Sequence, residues 1–190
     1  MDKRALRQEL FARVRALSAD ERRARSATIR DLLEDDPAFR AAGTVFSYLA
    51  LASEPDFAPL VAAHPGKRWA FPRVTQEDRL VFHEMMDPGE GLAGLHLIVE
   101  PDPEKHPEVA PEEADLVLVP GVGFDPATGA RLGRGKGHYD RFLAAAPGQG
   151  RSPRLVGVAF STQLAALVEE AHDIPMHRIL TDAGWSVAAL

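Results

Sequence analysis

An apolar run ending in Leu116-Val-Leu-Val119 leads into a loop, 121–141, that carries glycine at 121, 123, 129, 133, 135 and 137; the chain turns apolar again over 142–146. Buried strand, long glycine-rich loop and helix, in that order, bring backbone N–H groups and a helix N-terminus to one edge of a sheet. An anion can sit there. Glycine permits backbone angles and close approaches that a side chain forbids. Arg131, Arg134, Lys136 and Arg141 face only Asp140 between 129 and 141, a local net charge of +3 in a chain whose formal net charge is −6. The Walker pattern fails, because Ala130 stands where its first Gly belongs and Gly137 replaces its Ser/Thr. The dinucleotide pattern fails as well, because the glycines run Gly133-x-Gly135-x-Gly137. By itself such a loop fits a phosphate cradle or a flexible basic connection equally well.

Composition narrows the classes. At 190 residues the chain suits one domain, 1–190, and its 45% hydrophobic and 26% charged content is ordinary globular composition. It has no Cys, which excludes disulfides and thiolate metal sites and agrees with a cytoplasmic location. The start, Met1-Asp-Lys-Arg4, leads into charged amphipathic sequence, so neither a signal peptide nor a membrane span is expected. A basic patch on an acidic protein points to a small anionic ligand, not to general nucleic-acid binding.

Residues 3–17 predict a helix with Leu6, Leu10, Val14 and Leu17 on one stripe. Lys3 and Arg7, four apart, share a face that could simply be solvated. Ser18 to Glu21 has capping-box spacing and predicts a second helix to about Leu33, ended by Asp35-Asp36-Pro37. These helices, 3–34, are expected to pack on an α/β core. Strands are expected over 44–49, 68–71 (closed by Pro72 and Arg73), 79–82, 95–99, 115–119, 155–160 and 178–181. Short helices are expected over 57–63 and 162–171, and Asp78-Arg79 marks a turn. Strand–helix alternation in the second half predicts a mainly parallel sheet in a three-layer α/β/α fold. Glu54, just past the first strand, lies on the side where open α/β sheets bind ligands, although taken by itself it reads more simply as a helix N-terminal charge. Seven histidines are present, none with metal-ligand spacing.

The stretch Arg131-Leu-Gly-Arg-Gly-Lys-Gly-His-Tyr-Asp-Arg141, after Val119-Pro-Gly-Val-Gly-Phe-Asp125, closely resembles the signature of the 5-formyltetrahydrofolate cyclo-ligase family. The resemblance extends to Lys3…Arg7, Tyr48-Leu49…Glu54, Phe71-Pro-Arg73, Glu100-Pro101, Gly157-Val-Ala-Phe…Gln163 and His172-Asp173, in that family's order. It implies a Rossmann-like sheet related to the sugar-phosphate isomerase and CoA-transferase group, and by family default a cytoplasmic monomer. It also implies ATP-driven ring closure. The N5-formyl oxygen of 5-formyltetrahydrofolate attacks the γ-phosphate, N10 attacks the resulting iminium phosphate, and 5,10-methenyltetrahydrofolate, ADP and phosphate result.

Carried over residue by residue, the resemblance implies an ATP site of Lys3, Arg7, Arg131, Leu132, Gly133, Arg134, Gly135, Lys136, Gly137, His138 and Tyr139. Arg134 and Lys136 are the catalytic candidates. The folate would contact Leu49, Glu54, Arg134, Gly135, Lys136, Gly137 and His138, with Glu54 orienting its pterin N–H groups. Asp140 and Asp173, each otherwise readable as a helix cap or surface charge, would hold Mg²⁺. His138 replaces the aromatic residue the family usually has. The competing readings are a non-catalytic nucleotide- or folate-binding paralogue and a phosphosugar isomerase or transferase acting without ATP.

Overall fold

The computed structural model describes residues 2–93, 99–145, 152–168 and 174–187. Two long helices open the chain. In α1 (Lys3–Arg15), Asp2 caps the N-terminus and Leu6, Leu10 and Val14 are buried on one stripe. In α2 (Ala19–Glu34), the expected capping box closes reciprocally: Glu21 N–H donates to Ser18 Oγ at 3.1 Å and Ser18 N–H donates to Glu21 Oε2 at 2.7 Å. Asp36 does more than end α2. Its carboxylate caps a short helix, α3 (Pro37–Ala41), with Pro37 in the first turn, where a missing N–H is harmless.

The strands and remaining helices follow as β1 (Thr44–Phe46), α4 (Ala58–Ala63), β2 (Arg68–Val74), β3 (Leu80–Glu84), β4 (Leu92–Ala93), β5 (Val99–Glu100) and β6 (Glu108–Val109). Then come β7 (Leu116–Pro120), β8 (Gly123–Phe124), β9 (Arg131–Leu132), α5 (His138–Ala145), β10 (Arg154–Val158), β11 (Arg178–Thr181) and β12 (Gly184–Val187). The main sheet has eight strands in the order β12-β11-β10-β7-β1-β2-β3-β6. Neighbours from β11 through β2 pair in parallel, and the outer strands are antiparallel.

Alternation along the central strands feeds two cores. Val45, Trp69, Leu116, Leu118, Val156, Val158 and Leu180 face Val14, Ile29, Leu33, Phe39 and Leu60 of α1–α4. Phe46, Ala70, Val117, Val119, Leu155 and Ile179 face Phe142 and Leu143 of α5. A sheet buried on both faces needs the near-continuous apolar runs the sequence shows. The result is the expected three-layer α/β/α arrangement. A third cluster joins Leu6 and Leu10 of α1 to Val122 and Leu132, so α1 packs on the glycine-rich segment itself.

Several expectations change. Pro72 does not close β2; it lies inside the strand, opposite Phe82. Thr75 N–H donates to Arg79 O and Met85 N–H donates to Trp69 O, so 72↔82 is a non-hydrogen-bonded pair and the missing N–H leaves no gap on the β3 side. On the other side Ser47 N–H donates to Ala70 O, and the parallel ladder with β1 stops there, where Pro72 has no N–H to continue it. The glycine-rich segment is no plain loop, because β8 and β9 form a hairpin in it. The helix expected over 162–171 is replaced, over its described part, by a 3₁₀ turn, Ser161–Gln163, and a non-helical stretch to 168. Ala165 N–H donates to Phe124 O, Leu167 N–H donates to Asp125 Oδ2, and the Gln163 amide donates to Gly121 O and Val122 O. The Ala165 and Leu167 bonds spend backbone N–H groups that a helix would have used, and the Gln163 side chain adds its own anchor to the segment before the hairpin. Of the strand expected over 95–99, residues 95–98 lie outside the described residues and Val99 belongs to β5. The last strand, 178–181, is where it was expected, and β12 returns antiparallel to it. Among the described residues, no helix is long and apolar enough to cross a membrane.

Candidate active site

β1 connects onward to β2 on one side, while β7, on its other side, leads away to β10 and β11. Chain order reverses between β1 and β7, and a crevice opens beyond the carboxyl ends of such a pair. A cavity of about 280 Å³ occupies that place, lined by Tyr48, Leu49 and Glu54 from beyond β1 and Pro120 and Gly121 from the end of β7. One wall is the glycine-rich segment: Arg131, Gly133, Arg134, Lys136, Gly137 and His138, with Tyr139 and Asp140 from α5. The rest of the lining is apolar, made by Leu51, Pro72, Val74, Leu80 and Val99, with Glu100 beside them.

The glycine wall takes its shape from local backbone and distant anchors. Gly135 and Gly137 have φ of 96° and 69°, a left-handed region that disfavours any side chain. Arg7 of α1 donates from Nε to Gly133 O at 2.8 Å. Arg134 donates from Nη2 to Glu54 Oε1 at 2.8 Å, and its guanidinium lies 5.4 Å over the Phe11 ring of α1. Glu54, only 7% exposed, also accepts the Leu51 N–H at 3.0 Å through Oε2. Both of its oxygens are therefore engaged within the chain.

Arg131 is buried, pairs with Asp140, and lies 5.6 Å from the Tyr139 ring centre. Tyr139 packs edge-on against Phe82, so it belongs to the core and to the cavity wall together. Its hydroxyl is buried without a hydrogen bond among the described residues; burial, then the charge of Glu54, pushes its pKa up. Tyr48 is raised for the same reasons in the same order, and its hydroxyl donates to Pro55 O at 2.9 Å. Both phenols stay protonated at neutral pH.

The tip of the β2–β3 hairpin reaches across to the glycine wall. Asp78, at φ 59°, meets His138 Nε2 at 2.7 Å through Oδ1 and accepts from Arg141 Nη2 at 2.8 Å through Oδ2. The His138 bond, then the charges of His138, Arg141 and Lys136, holds the Asp78 carboxyl below its usual range.

The residues proposed from sequence are thus distributed unevenly. Leu49, Glu54, Arg131, Gly133, Arg134, Lys136, Gly137, His138, Tyr139 and Asp140 line the cavity. Leu132 sits in the cluster under α1, Arg7 of α1 reaches the glycine segment at Gly133 O, and Lys3 stands at the start of the same helix. Asp173 lies outside the described residues. Sequence reasoning gave Leu51, Pro72, Val74, Leu80 and Val99 no place in the site, gave Glu100 no role, and saw Asp78 only as a turn. For Asp78 the signal was there: a non-glycine residue at a tight turn between two strands, preceding a basic residue.

Asp140 sets one oxygen against Arg131 on the cavity wall. No group of three His, Cys, Asp or Glu side chains able to hold a metal ion exists among the described residues. A single carboxylate can serve Mg²⁺ only where water or ligand oxygens complete the coordination. It does not suit an all-protein metal cage.

Comparison with known proteins gives a consistent result. The model of the 5-formyltetrahydrofolate cyclo-ligase family matches residues 1–182. The 5-formyltetrahydrofolate cyclo-ligase of Saccharomyces cerevisiae is 36% identical over 123 residues, covering 59% of this chain and 55% of that protein. That of Mus musculus is 28% identical over 189 residues, covering 94% of this chain and 92% of that protein. The NMR structure of Aquifex aeolicus 5,10-methenyltetrahydrofolate synthetase superposes with a TM-score of 0.85 at 32% identity, covering 98% of this chain and 93% of that one.

Proposed function

The chain belongs to the 5-formyltetrahydrofolate cyclo-ligase family, and on that premise we propose that it closes 5-formyltetrahydrofolate to 5,10-methenyltetrahydrofolate at the expense of ATP, with ADP and phosphate as the other products. The observation that carries this reading is the cavity's mixed lining: a cationic, glycine-shaped stretch and a set of apolar side chains share one cavity at the switch point of the sheet. A triphosphate fits the first and a pteridine ring fits the second.

The residues act by binding, orienting and neutralising. Lys136 and Arg134, with Lys3 and Arg7 from α1, take the nucleotide phosphates, and the Gly133–Gly137 backbone lets them approach closely. Glu54 holds Arg134 in place and is itself held by the Leu51 N–H, so the guanidinium is set before substrates arrive. Preorganised charge of this kind needs little rearrangement when negative charge builds on the transferred phosphoryl group. Juxtaposing the formyl oxygen and the γ-phosphate supplies the remaining advantage. Mg²⁺ accompanying the nucleotide would neutralise phosphate oxygens, and Asp140 is the described residue that would ligate it, with Asp173 its expected second carboxylate. The whole chain, α1 included, acts as one cytoplasmic, monomeric domain on a small-molecule substrate.

The test is ADP release with and without the folate. Nucleotide consumption that requires 5-formyltetrahydrofolate supports the ligase. Nucleotide binding without turnover in its presence would instead favour a non-catalytic paralogue.

A further inference from the structure

The glycine segment brings Arg131, Arg134 and Lys136 to the cavity, but not in the same way. Lys136 is exposed, and the Arg134 side chain is 42% exposed. The Arg131 side chain is 6% exposed, and its guanidinium is boxed in. Nη1 donates to Pro120 O, at the end of β7, at 3.3 Å, and Nη2 donates to Asp140 Oδ1. The Tyr139 ring centre lies 5.6 Å away. Two glycines leave room for the side chain: a Cβ at Gly133 would stand 3.1 Å from Nη1, and one at Gly121 would stand 3.2 Å from Cγ. To turn outward to a phosphate, Arg131 would have to break its pair with Asp140, which is costly when one partner is buried. Asp140, by contrast, is 33% exposed and lines the cavity.

We infer that Arg131 is a positioning residue that orients the Asp140 carboxylate, and that it is not itself a ligand of the nucleotide. This rests on the proposed function, in which Asp140 meets the Mg²⁺ of the nucleotide, and deepens it. The planar guanidinium takes Oδ1 and so fixes the plane of the carboxylate, and Oδ2 is the oxygen that Asp140 offers to the cavity. Mg²⁺ is bound through one or two carboxylates together with water and phosphate oxygens, so one well-aimed oxygen serves it. The bond to Pro120 O refers the arrangement to the sheet: Asp140, in the first turn of α5, is aligned on the carboxyl end of β7. The assignment removes Arg131 from the phosphate ligands that the resemblance implies and places it behind the metal ligand.

A double-mutant cycle of Arg131→Lys and Asp140→Asn tests it, with Mn²⁺ and a non-hydrolysable ATP analogue as probes. Lysine keeps the charge and lacks the planar fork, so it removes orientation before anything else. Mn²⁺ affinity in the presence of the analogue, read by electron paramagnetic resonance, should fall about 10- to 100-fold in each single variant and no further in the double variant. Affinity of Arg131→Lys for the analogue in EDTA should stay that of wild type. Unchanged Mn²⁺ affinity in either single variant, losses that add in the double variant, or weaker analogue binding in EDTA would overturn the assignment. If Arg131→Lys fails to fold, wild type decides. Its Arg131 Nη resonances, identified by their contact with the Tyr139 ring, should not move when the analogue is added in EDTA, and a shift as large as that of Arg134 would overturn the assignment. Formation of methenyl product is followed in parallel. Its absence from wild type that binds the analogue and Mn²⁺ would overturn the proposed function and not the role of Arg131; wild type that binds neither would overturn both.

Discussion

The glycine-rich wall of the cavity is held from outside itself, by Arg7 of α1, by Glu54 beyond β1 and by Asp78 of a distant hairpin, whereas the apolar wall is largely the sheet, with Pro72 and Val74 in β2 and Leu80 in β3. The first wall is made of charge and backbone geometry, and it needs partners to fix it. The second is made of side chains whose positions follow from strand pairing. The difference teaches where each kind of substitution should register: in nucleotide handling and turnover on the first wall, and in folate affinity on the second.

The largest expected effect is at Lys136, which is exposed and so can be changed without disturbing the core. Lys136→Ala should lower turnover by about 100-fold or more and raise the KM for ATP, with an unchanged melting temperature. An equal loss in folate affinity alone would blur the two walls into one. Glu54→Gln comes next. It removes the charge that holds Arg134, and kcat/KM should fall by about 10- to 100-fold. The neighbouring Ser53, whose hydroxyl accepts from Arg134 at 3.3 Å, cannot replace a carboxylate.

Asp78→Ala breaks the strap between the walls. Because the strap is exposed, the change should be modest, about two- to fivefold, and shared by the KM for ATP and the KM for the folate, since Asp78 holds the glycine wall while Val74 and Leu80 flank the hairpin it tips. An effect on one KM alone would show that Asp78 serves a single wall.

The smallest effect should come from the amino-end edge of the sheet, away from both walls. His177 Nδ1 accepts the Leu155 N–H at 2.9 Å, which requires the neutral ring. Burial, then the charge of Arg154, holds its imidazole below the usual histidine range. A folded-state value below the unfolded one means that the unfolded chain binds the proton more readily. Stability is therefore full at higher pH and declines as pH falls from about 6.5, the unfolded value, to the folded value. Melting curves between about pH 8 and about pH 5 should show that decline, and it should flatten in His177→Gln. Steady-state constants of that variant at pH 8 should match wild type.

The two walls also differ in how far the sequence reveals them. The glycine wall is a run of neighbours in the chain, so its charges, glycines and order between a strand and a helix can be read directly. The apolar wall gathers Leu51, Pro72, Val74, Leu80 and Val99 from separate elements, and only strand pairing brings them together. Pro72 misleads for the same reason. A proline looks like a strand end until the register shows that its position needs no donor towards β3. That residues 164–168 are not helical reflects tertiary bonds to the β8–β9 hairpin overriding an apolar pattern that would otherwise form a helix. The three-layer fold, by contrast, follows from apolar runs buried on both faces, and local pattern carries that information.

The most direct test of the whole account is the near-ultraviolet absorbance of the methenyl product when 5-formyltetrahydrofolate is mixed with the protein and Mg·ATP. Wild type should form product only with ATP present, and Lys136→Ala should form it far more slowly while still binding the folate. Product formed equally by both proteins, or by wild type without ATP, would contradict a nucleotide-binding glycine wall set against a folate-binding apolar one.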